Sequence, residues 1–265
     1  MLFRQSTVVL AIILCALVGG AALVGVVLGR SMHERHGDRL KEATSAVQAT
    51  LLGFVGLLLA FGLSLAVGRY ETRRATVADE ANAISTTYLR AQTIPEPMRS
   101  ASLRLLTRYA DVRIAFAAAV PDSAAYDDAR ARTDSLTNRL WARAGESLSA
   151  DPSGSATRLY VDSLNEMIDM DTTRQAALAN RIPDAVMVLQ IFGASVATGF
   201  LGFYLALTGR TIVPVFVAAA VVILILFVTF DLDRPRRGFI EVPDAPLVVA
   251  RAGMNGPPAA AAPAR

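Results

Sequence analysis

The chain has 265 residues, of which 53% are hydrophobic. Its mean hydropathy of +0.42 is too apolar for an ordinary soluble domain and too polar for a chain that lies wholly in a membrane. The net charge of +3, from 26 basic and 23 acidic side chains, gives no argument for a nucleic-acid partner. The single cysteine, Cys15, excludes an internal disulfide. We therefore expect a protein that is partly embedded in a lipid bilayer.

Four runs of the sequence carry no charged side chain and are long enough to cross a hydrocarbon layer of about 30 Å. We predict transmembrane helices at about residues 5–29, 46–68, 185–209 and 211–230. The alternative for the first run is a secretory signal peptide. Its apolar stretch is about twice the usual length for such a peptide, and no clear small-residue cleavage pattern follows it.

Basic residues near the ends of these runs indicate the orientation. An even number of spans places both termini and the middle region on one side, which holds Arg4, Arg69, Arg73, Arg74, Arg174, Arg181, Arg234, Arg236 and Arg237. The other side holds Arg30, Arg35, Arg39, Lys41 and Arg210. Because positive charge favours the cytoplasmic face, we predict that both termini and the middle region are cytoplasmic.

The middle region, residues 69–183, has the pattern of helices separated by proline and glycine. Apolar residues continue at helical spacing beyond the second run, at Tyr70, Val77, Ala81, Ile84 and Tyr88. The second membrane helix is therefore predicted to extend into the cytosol, over about residues 46–93, until Pro95. Further helices are predicted around residues 103–116, 136–148 and 159–178, and no segment has the alternation of a strand.

These elements predict an all-α integral membrane protein. Transmembrane helices 1 and 2 occupy residues 1–68, a cytosolic helical region residues 69–183, and transmembrane helices 3 and 4 residues 184–230. A first loop joins the first two spans. The tail, residues 231–265, is expected to be loop-like and disordered after about residue 252.

Motifs of enzyme chemistry are scarce in this sequence. It contains no phosphate-binding glycine loop, nucleophile elbow or redox cysteine pair, so we predict no enzyme and no cofactor. His33 and His36 lack further metal ligands and are predicted to be surface residues. Asp162, Glu166 and Asp169 share one helix face, which fits either a solvated surface or a divalent cation. The sequence does not decide between these two interpretations.

The second predicted span carries two parallel rows of residues. One is a seam of small residues at steps of four, which favours close helix packing: Gly56, Ala60, Ser64 and Gly68. The other is an apolar row that could form the hydrophobic neck of a pore between identical subunits: Val55, Leu59 and Leu63. Ordinary packing among the four helices of one subunit is the alternative for the apolar row.

Three stretches of the chain carry a family resemblance. GLLLAFGLSLAVGRYETRRATVADEANAISTTYLR, SLNEMIDM and DLDRPRRGFI resemble the bestrophin-like membrane proteins of bacteria, over about residues 48–249. The family name implies a distant similarity to bestrophins. Those proteins are pentameric anion channels with four membrane helices per subunit and a helical cytosolic region, and their second membrane helix lines the neck.

The resemblance implies roles for particular residues. If Tyr70 and Arg73 match the neck exit of bestrophins, the neck positions fall on Val55, Leu59 and Leu63. The paired tryptophans after this exit are missing, and aliphatic residues replace the neck aromatics. No acidic run follows the fourth span to match the calcium clasp of animal bestrophins, so calcium gating is not carried over.

The motif DLDRPRRGF places alternating charges where the fourth span ends. Asp231, Asp233 and Arg234 are expected to form a structural clamp with the exit of the second span, at Arg69, Arg73 and Arg74. An ion-binding site is the alternative. If a pore exists, these charged residues lie at its mouth or at the membrane interface, and the arginines attract anions.

We therefore predict a homo-oligomeric membrane pore, pentameric by analogy, in the bacterial inner membrane. Its partners are the lipid bilayer and small anions such as chloride. The alternative is a non-conducting scaffold or sensor whose cytosolic helices bind another protein. A membrane enzyme is a third hypothesis, and it requires polar residues that only folding brings together.

Overall fold

The computed structural model describes residues 7–236 and 238–255, without the side chains of residues 34–43. The described chain is built from eight α-helices: α1 Thr7–Leu14, α2 Gly20–Ala91, α3 Met98–Ala118, α4 Ala124–Ala150, α5 Ser155–Ala179, α6 Asp184–Leu207, α7 Val213–Leu232 and α8 Ala245–Gly253. A π-helical turn, Cys15–Gly19, joins α1 to α2. No strand occurs in these two ranges, so the predicted all-α class is confirmed.

Four helical stretches are long and apolar enough to cross a membrane. They are Thr7–His33, Thr44–Ala91, Ser155–Leu207 and Val213–Leu232. Each contains one of the four runs predicted from the sequence, and the apolar part of the third stretch is α6. The helix that contains the second run continues to Ala91, just before Ile94 and Pro95, as its apolar spacing predicts.

The chain divides into two compact units, each with its own apolar core. The membrane unit comprises Met1–Tyr70 and Arg181–Glu241. The polar unit comprises Glu71–Asn180 and Val242–Arg265. Residues of α2 belong to both units.

Close helix packing in the membrane unit depends on glycine. A Cβ atom on Gly25 of α2 would lie 1.8 Å from the carbonyl oxygen of Gly199 on α6, and one on Gly202 would lie 2.6 Å from that of Ala22. No side chain larger than hydrogen fits at either position without moving a helix backbone. Small residues therefore let these two helices approach to backbone contact, as is common between membrane helices.

Two parts of α2 lie along the same helix α6. Gly25 packs against Gly199, whereas Gly62 packs against Gln190. These contacts are nine residues apart on α6, about 14 Å, but 37 residues apart on α2, about 55 Å if that helix were straight. The backbone of α2 therefore changes direction between them, and both of its apolar stretches pack against α6.

Residues 30–43 differ from the sequence prediction. We predicted a loop between the first two spans, whereas this segment has helical backbone within α2. It contains leucine, lysine, glutamate and arginine, which are good helix formers, and it lacks proline. Hydropathy marks where an apolar run ends, but it does not say where helical backbone ends.

The polar unit packs α3, α4 and α5 with the last part of α2. The apolar face predicted on α2 is buried here, with Val77, Ile84 and Tyr88 in the core. Leu106, Leu140 and Leu164 are among the buried residues contributed by the three following helices, at positions within the predicted segments. At the start of α4, the Ser123 hydroxyl accepts a hydrogen bond from the backbone N–H of Tyr126, 3.2 Å away, which caps the helix.

Helix α8 was not predicted, because the tail was expected to be loop-like. Its Leu247 is buried in the core of the polar unit. The Arg251 Nε atom lies 2.6 Å from Asp111 Oδ1 on α3, and the Tyr88 hydroxyl donates a hydrogen bond to the carbonyl oxygen of Met254. Most of the stretch predicted to be disordered, residues 256–265, lies outside the described residues.

Candidate functional site

The α2 segment over residues 53–68 has one covered face and one open face. Val55 and Leu59 are each only 4% exposed, and Leu63 is partly buried. They belong to a core that includes Ile191 and Ala194 of α6. The predicted neck row thus packs against a helix of its own chain, which is the alternative that the sequence left open.

The open face carries the predicted seam of small residues. Gly56, Ala60, Ser64 and Gly68 are all exposed. A Cβ atom on Gly56 or Gly68 would meet no other atom within 4 Å. The large side chains beside the seam, Leu57 and Phe61, are also exposed. At 100° per residue, this open face is centred opposite the covered row.

The position of the covered row constrains where a pore wall can lie. Side chains that α6 covers are not available to line a pore. The open side of α2 is uncovered in the single chain and is apolar apart from Ser64. It is therefore available to a neighbouring subunit, to lipid or to a pore.

One polar side chain is buried in the membrane unit beside this segment. Gln190 of α6 is fully buried, and its Nε2 atom donates a hydrogen bond to the carbonyl oxygen of Leu58, 3.3 Å away. The glycine at position 62 leaves space for the Gln190 amide, since a Cβ atom on Gly62 would lie 1.6 Å from Gln190 Nε2. The amide therefore links α6 to α2 on the covered side of the helix, away from the open face.

The arginines predicted at the pore mouth have different surroundings. Arg73 is buried and donates hydrogen bonds to the carbonyl oxygens of Ala177 and Asn180, at 3.3 and 2.8 Å. These carbonyls lie at the end of α5, where a guanidinium satisfies backbone groups that have no partner within the helix. Arg69 is half-buried, and Arg74 is exposed beside Glu71, with 3.9 Å between their charged atoms. Only Arg74 therefore presents a mostly exposed charge.

The exit motif DLDRPRRGFI holds backbone groups in place. The buried carboxylate of Asp231 accepts hydrogen bonds from the backbone N–H groups of Phe239 and Ile240, at 3.0 and 2.9 Å. The buried carboxylate of Asp233 accepts one from the N–H of Ile182, at 3.0 Å, and Arg234 is buried as well. Asp233 thus binds the backbone just before α6, and Asp231 binds the backbone of the segment that follows α7.

The predicted candidates for metal binding belong to two helices, α2 and α5. His33 is exposed, and its Nδ1 atom lies 2.6 Å from the carbonyl oxygen of Leu207, while the side chain of His36 is outside the described residues. Asp162, Glu166 and Asp169 are exposed on α5. Among the side chains that the structure describes, no group of three histidine, cysteine or acidic residues is arranged to hold a metal ion.

A buried network of charged residues joins three helices of the polar unit. The Glu80 carboxylate of α2 forms short ion pairs with Arg113 of α3 and Arg174 of α5. Arg113 Nη2 also lies 2.6 Å from Asp171 Oδ1, although these atoms are not aligned for a hydrogen bond. The guanidinium of Arg113 stacks over the ring of Phe116, 4.7 Å from its centre.

The sequence contained a clue to this network that we did not use. Glu80 falls among Val77, Ala81 and Ile84 on the apolar face of α2, and Arg113 falls between Tyr109 and Phe116 on that of α3. A charged side chain at a core position of a helical pattern requires a buried partner. The spacing alone did not identify which opposite charges would meet.

Comparisons with known proteins agree with this architecture. The Bestrophin-like domain matches residues 15–247. A crystal structure of a bacterial bestrophin homologue from Klebsiella pneumoniae, carrying one tryptophan-to-alanine mutation, is 14% identical with a TM-score of 0.70, over 95% of this chain and 96% of that one.

A second structure of a bestrophin homologue from the same organism is 15% identical, with a TM-score of 0.67 over 92% of this chain and 96% of that chain. The comparison with curated proteins found no match. At these identities the structures show a shared fold. Since the domain match covers most of the sequence, the chain belongs to the Bestrophin-like family.

Proposed function

We propose that this protein forms a homo-oligomeric membrane pore that conducts small anions such as chloride. The observation that carries the proposal is the open apolar face of α2, on a fold shared with bacterial bestrophin homologues. A helix that packs one face inside its subunit and leaves the other uncovered can line a central axis. The apolar surface would then form a constriction that opens by widening or wetting.

The proposed pore wall differs from the row predicted by sequence. Leu57 is 56% exposed near the centre of the open face, whereas Leu59 is covered. We therefore assign the narrowest apolar contact with permeating ions to Leu57, with Ala60 and Ser64 beside it. Leu63, at the edge of the covered face, borders this surface.

The charged side chains beyond the apolar part of α2 favour the conduction of anions over that of cations in this proposal. Arg74 is exposed shortly beyond the apolar part of α2, and Glu71 partly offsets its charge. In a ring of subunits this pattern repeats around the axis, and the clustered arginines raise the local concentration of anions. We place this end of α2, both termini and the polar unit in the cytoplasm.

The proposal is tested by recording currents from purified full-length protein in planar bilayers under a chloride gradient. We expect a reversal potential that follows chloride. Leu57→Ala is expected to raise the conductance several-fold, because it removes apolar bulk from the constriction. The same exchange at Leu59 supplies the matched control, since it removes a leucine that faces α6.

Leu59→Ala is expected to lower the thermal stability, because it opens a cavity in a packed core, while the unitary conductance changes little. The opposite result, with conductance sensitive to Leu59 and insensitive to Leu57, would mean that the covered row forms the pore wall. Absence of current from folded oligomeric protein at varied pH, calcium and voltage would favour a non-conducting scaffold or sensor.

A further inference from the structure

Helices α3 and α4 of the polar unit form a groove that is rich in arginine. It encloses a cavity of about 240 Å³, lined by Ala101, Arg104, Arg108, Arg139 and Arg143, with Glu146 at its edge. The four arginines come in pairs one helical turn apart, one pair on each helix. Antiparallel packing of the two helices brings the pairs face to face across the groove.

The positive charge of this groove is mostly uncompensated. Glu146 is the single acidic residue that lines it, and its carboxylate pairs with Arg143 at 2.6 Å. Arg104, Arg108 and Arg139 form no ion pair or hydrogen bond within the described part of the chain. Three exposed guanidinium groups therefore line one small cavity without a carboxylate in direct contact, and the charge of Glu96 also acts on Arg104. Water screens their mutual repulsion, and an anion bound between them would lower it further.

A second cavity adjoins the first and shares two of these arginines. Its volume is about 350 Å³, and it is lined by Arg108, Arg132, Arg139, Asp111, Ser135 and the apolar side chains of Val112 and Leu136. The acidic residue in this lining already has a partner, since Asp111 pairs with Arg251 at 2.6 Å, and Arg132 pairs with Asp128 at 3.0 Å. Arg108 and Arg139 thus lie at the centre of a basic strip with room on both sides.

We propose that this groove binds a multiply charged oxyanion, the phosphate groups of a small water-soluble compound. The planar fork of a guanidinium matches two oxygens of a phosphate, so several converging arginines suit this chemistry better than they suit a chloride ion. Arg108 and Arg139 hold the anion from opposite helices, and Arg104 adds a third positive charge. The apolar lining of the second cavity accommodates an uncharged part of the ligand. The proposal does not depend on conduction.

The test is an isothermal titration calorimetry experiment, in which diphosphate is added to the full-length protein in detergent at constant ionic strength. We expect saturable binding that weakens at least tenfold in Arg108→Gln and in Arg139→Gln. Arg130→Gln is the matched control, because Arg130 is exposed on α4 but lines neither cavity. Its affinity for diphosphate is expected to equal that of the unmodified protein.

Two further binding measurements, with a lipid and with a peptide, identify the source of the phosphate and test for a protein ligand. A short-chain phosphatidic acid that binds more weakly than diphosphate supports a soluble compound, whereas tighter binding of that lipid overturns the assignment in favour of a lipid headgroup. Equal losses in all three variants would show general charge attraction and overturn the site. Saturable binding of a glutamate-rich peptide without binding of diphosphate would overturn it in favour of an acidic protein segment.

Discussion

At the residue scale, Glu80 has the largest predicted effect on the stability of the polar unit. Its carboxylate is fully buried and pairs with both Arg113 and Arg174. Glu80→Gln keeps the shape of the side chain but leaves the two guanidinium groups with Asp171 alone. A buried charge that loses its partner costs about 3–5 kcal/mol, so we expect a large fall in the thermal midpoint of the purified protein.

The control for Glu80 is an exposed ion pair on the same unit. Asp128 and Arg132 pair across one turn of α4, and both side chains are more than half exposed. Asp128→Asn is expected to cost less than about 1 kcal/mol, because water replaces the lost attraction. If the two substitutions lowered the midpoint equally, the buried network would have no special part in holding the three helices together.

Tyr109 is predicted to make the stability of the polar unit sensitive to alkaline pH. Burial raises the pKa of its hydroxyl above the ordinary value of 10.0. The unfolded chain therefore releases this proton first, and the stabilisation that is complete below pH 10 falls as the pH rises above it. The expected slope is about 1.4 kcal/mol per pH unit.

Tyr109→Phe removes this contribution to the pH dependence. The variant should unfold close to the unmodified protein at pH 8, since the ring keeps its apolar contacts, and at a higher temperature than that protein above pH 10. Thermal unfolding scans between pH 8 and pH 11 make the comparison. Parallel curves for the two proteins would show that the hydroxyl does not stay neutral on folding.

At the element scale, Leu247 is expected to be the main apolar contact that holds α8. Leu247 is 1% exposed, whereas Val249, two residues along the same helix, is 70% exposed. Leu247→Ala should cost about 2–5 kcal/mol and detach the helix, while Val249→Ala should change little. Limited proteolysis of the full chain measures the difference, and equal cleavage of both variants would contradict the docking of α8 through Leu247.

The long helices could be predicted because their apolar residues recur at helical spacing between clear breakers. Pro95, Pro121 and the turn at residues 151–154 each lie just outside a helix end. Helix α8 is too short for such a pattern to stand out, since its nine residues acquire a core only where Leu247 meets the rest of the polar unit. Short helices depend on tertiary contacts, which the local sequence does not contain.

The two rows on α2 show why the site could be predicted only in part. The spacing placed Val55 and Leu59 on one row and the small residues on another, and both rows exist. Which row is covered depends on α6, and in particular on the fit of Gln190 into the space left by Gly62. A single helix pattern carries no information about which partner packs on which face.

At the scale of the whole molecule, the proposed oligomer should depend on the edge of the open face of α2 at Gly56, about 100° around the helix from Leu57 at the proposed pore wall. A Cβ atom at Gly56 has open space within 4 Å, so a leucine there extends away from α6. Gly56→Leu should therefore leave the fold of the subunit intact and block close approach of a neighbouring copy. We expect a shift from oligomer to monomer of at least tenfold in the dissociation constant.

Gly25→Ala provides the contrasting case, because a methyl group there collides with the backbone of Gly199 inside the same subunit. We expect this variant to unfold at a lower temperature than the unmodified protein but to keep its oligomeric state. Mass photometry or light scattering in detergent, with thermal unfolding of the same samples, separates the two effects. An oligomer that Gly56→Leu leaves unchanged would mean that this edge of the open face contacts lipid or the lumen of the pore, and the interface between subunits would then lie elsewhere. A monomer at all concentrations of the unmodified protein would remove the shared axis on which the proposed pore depends.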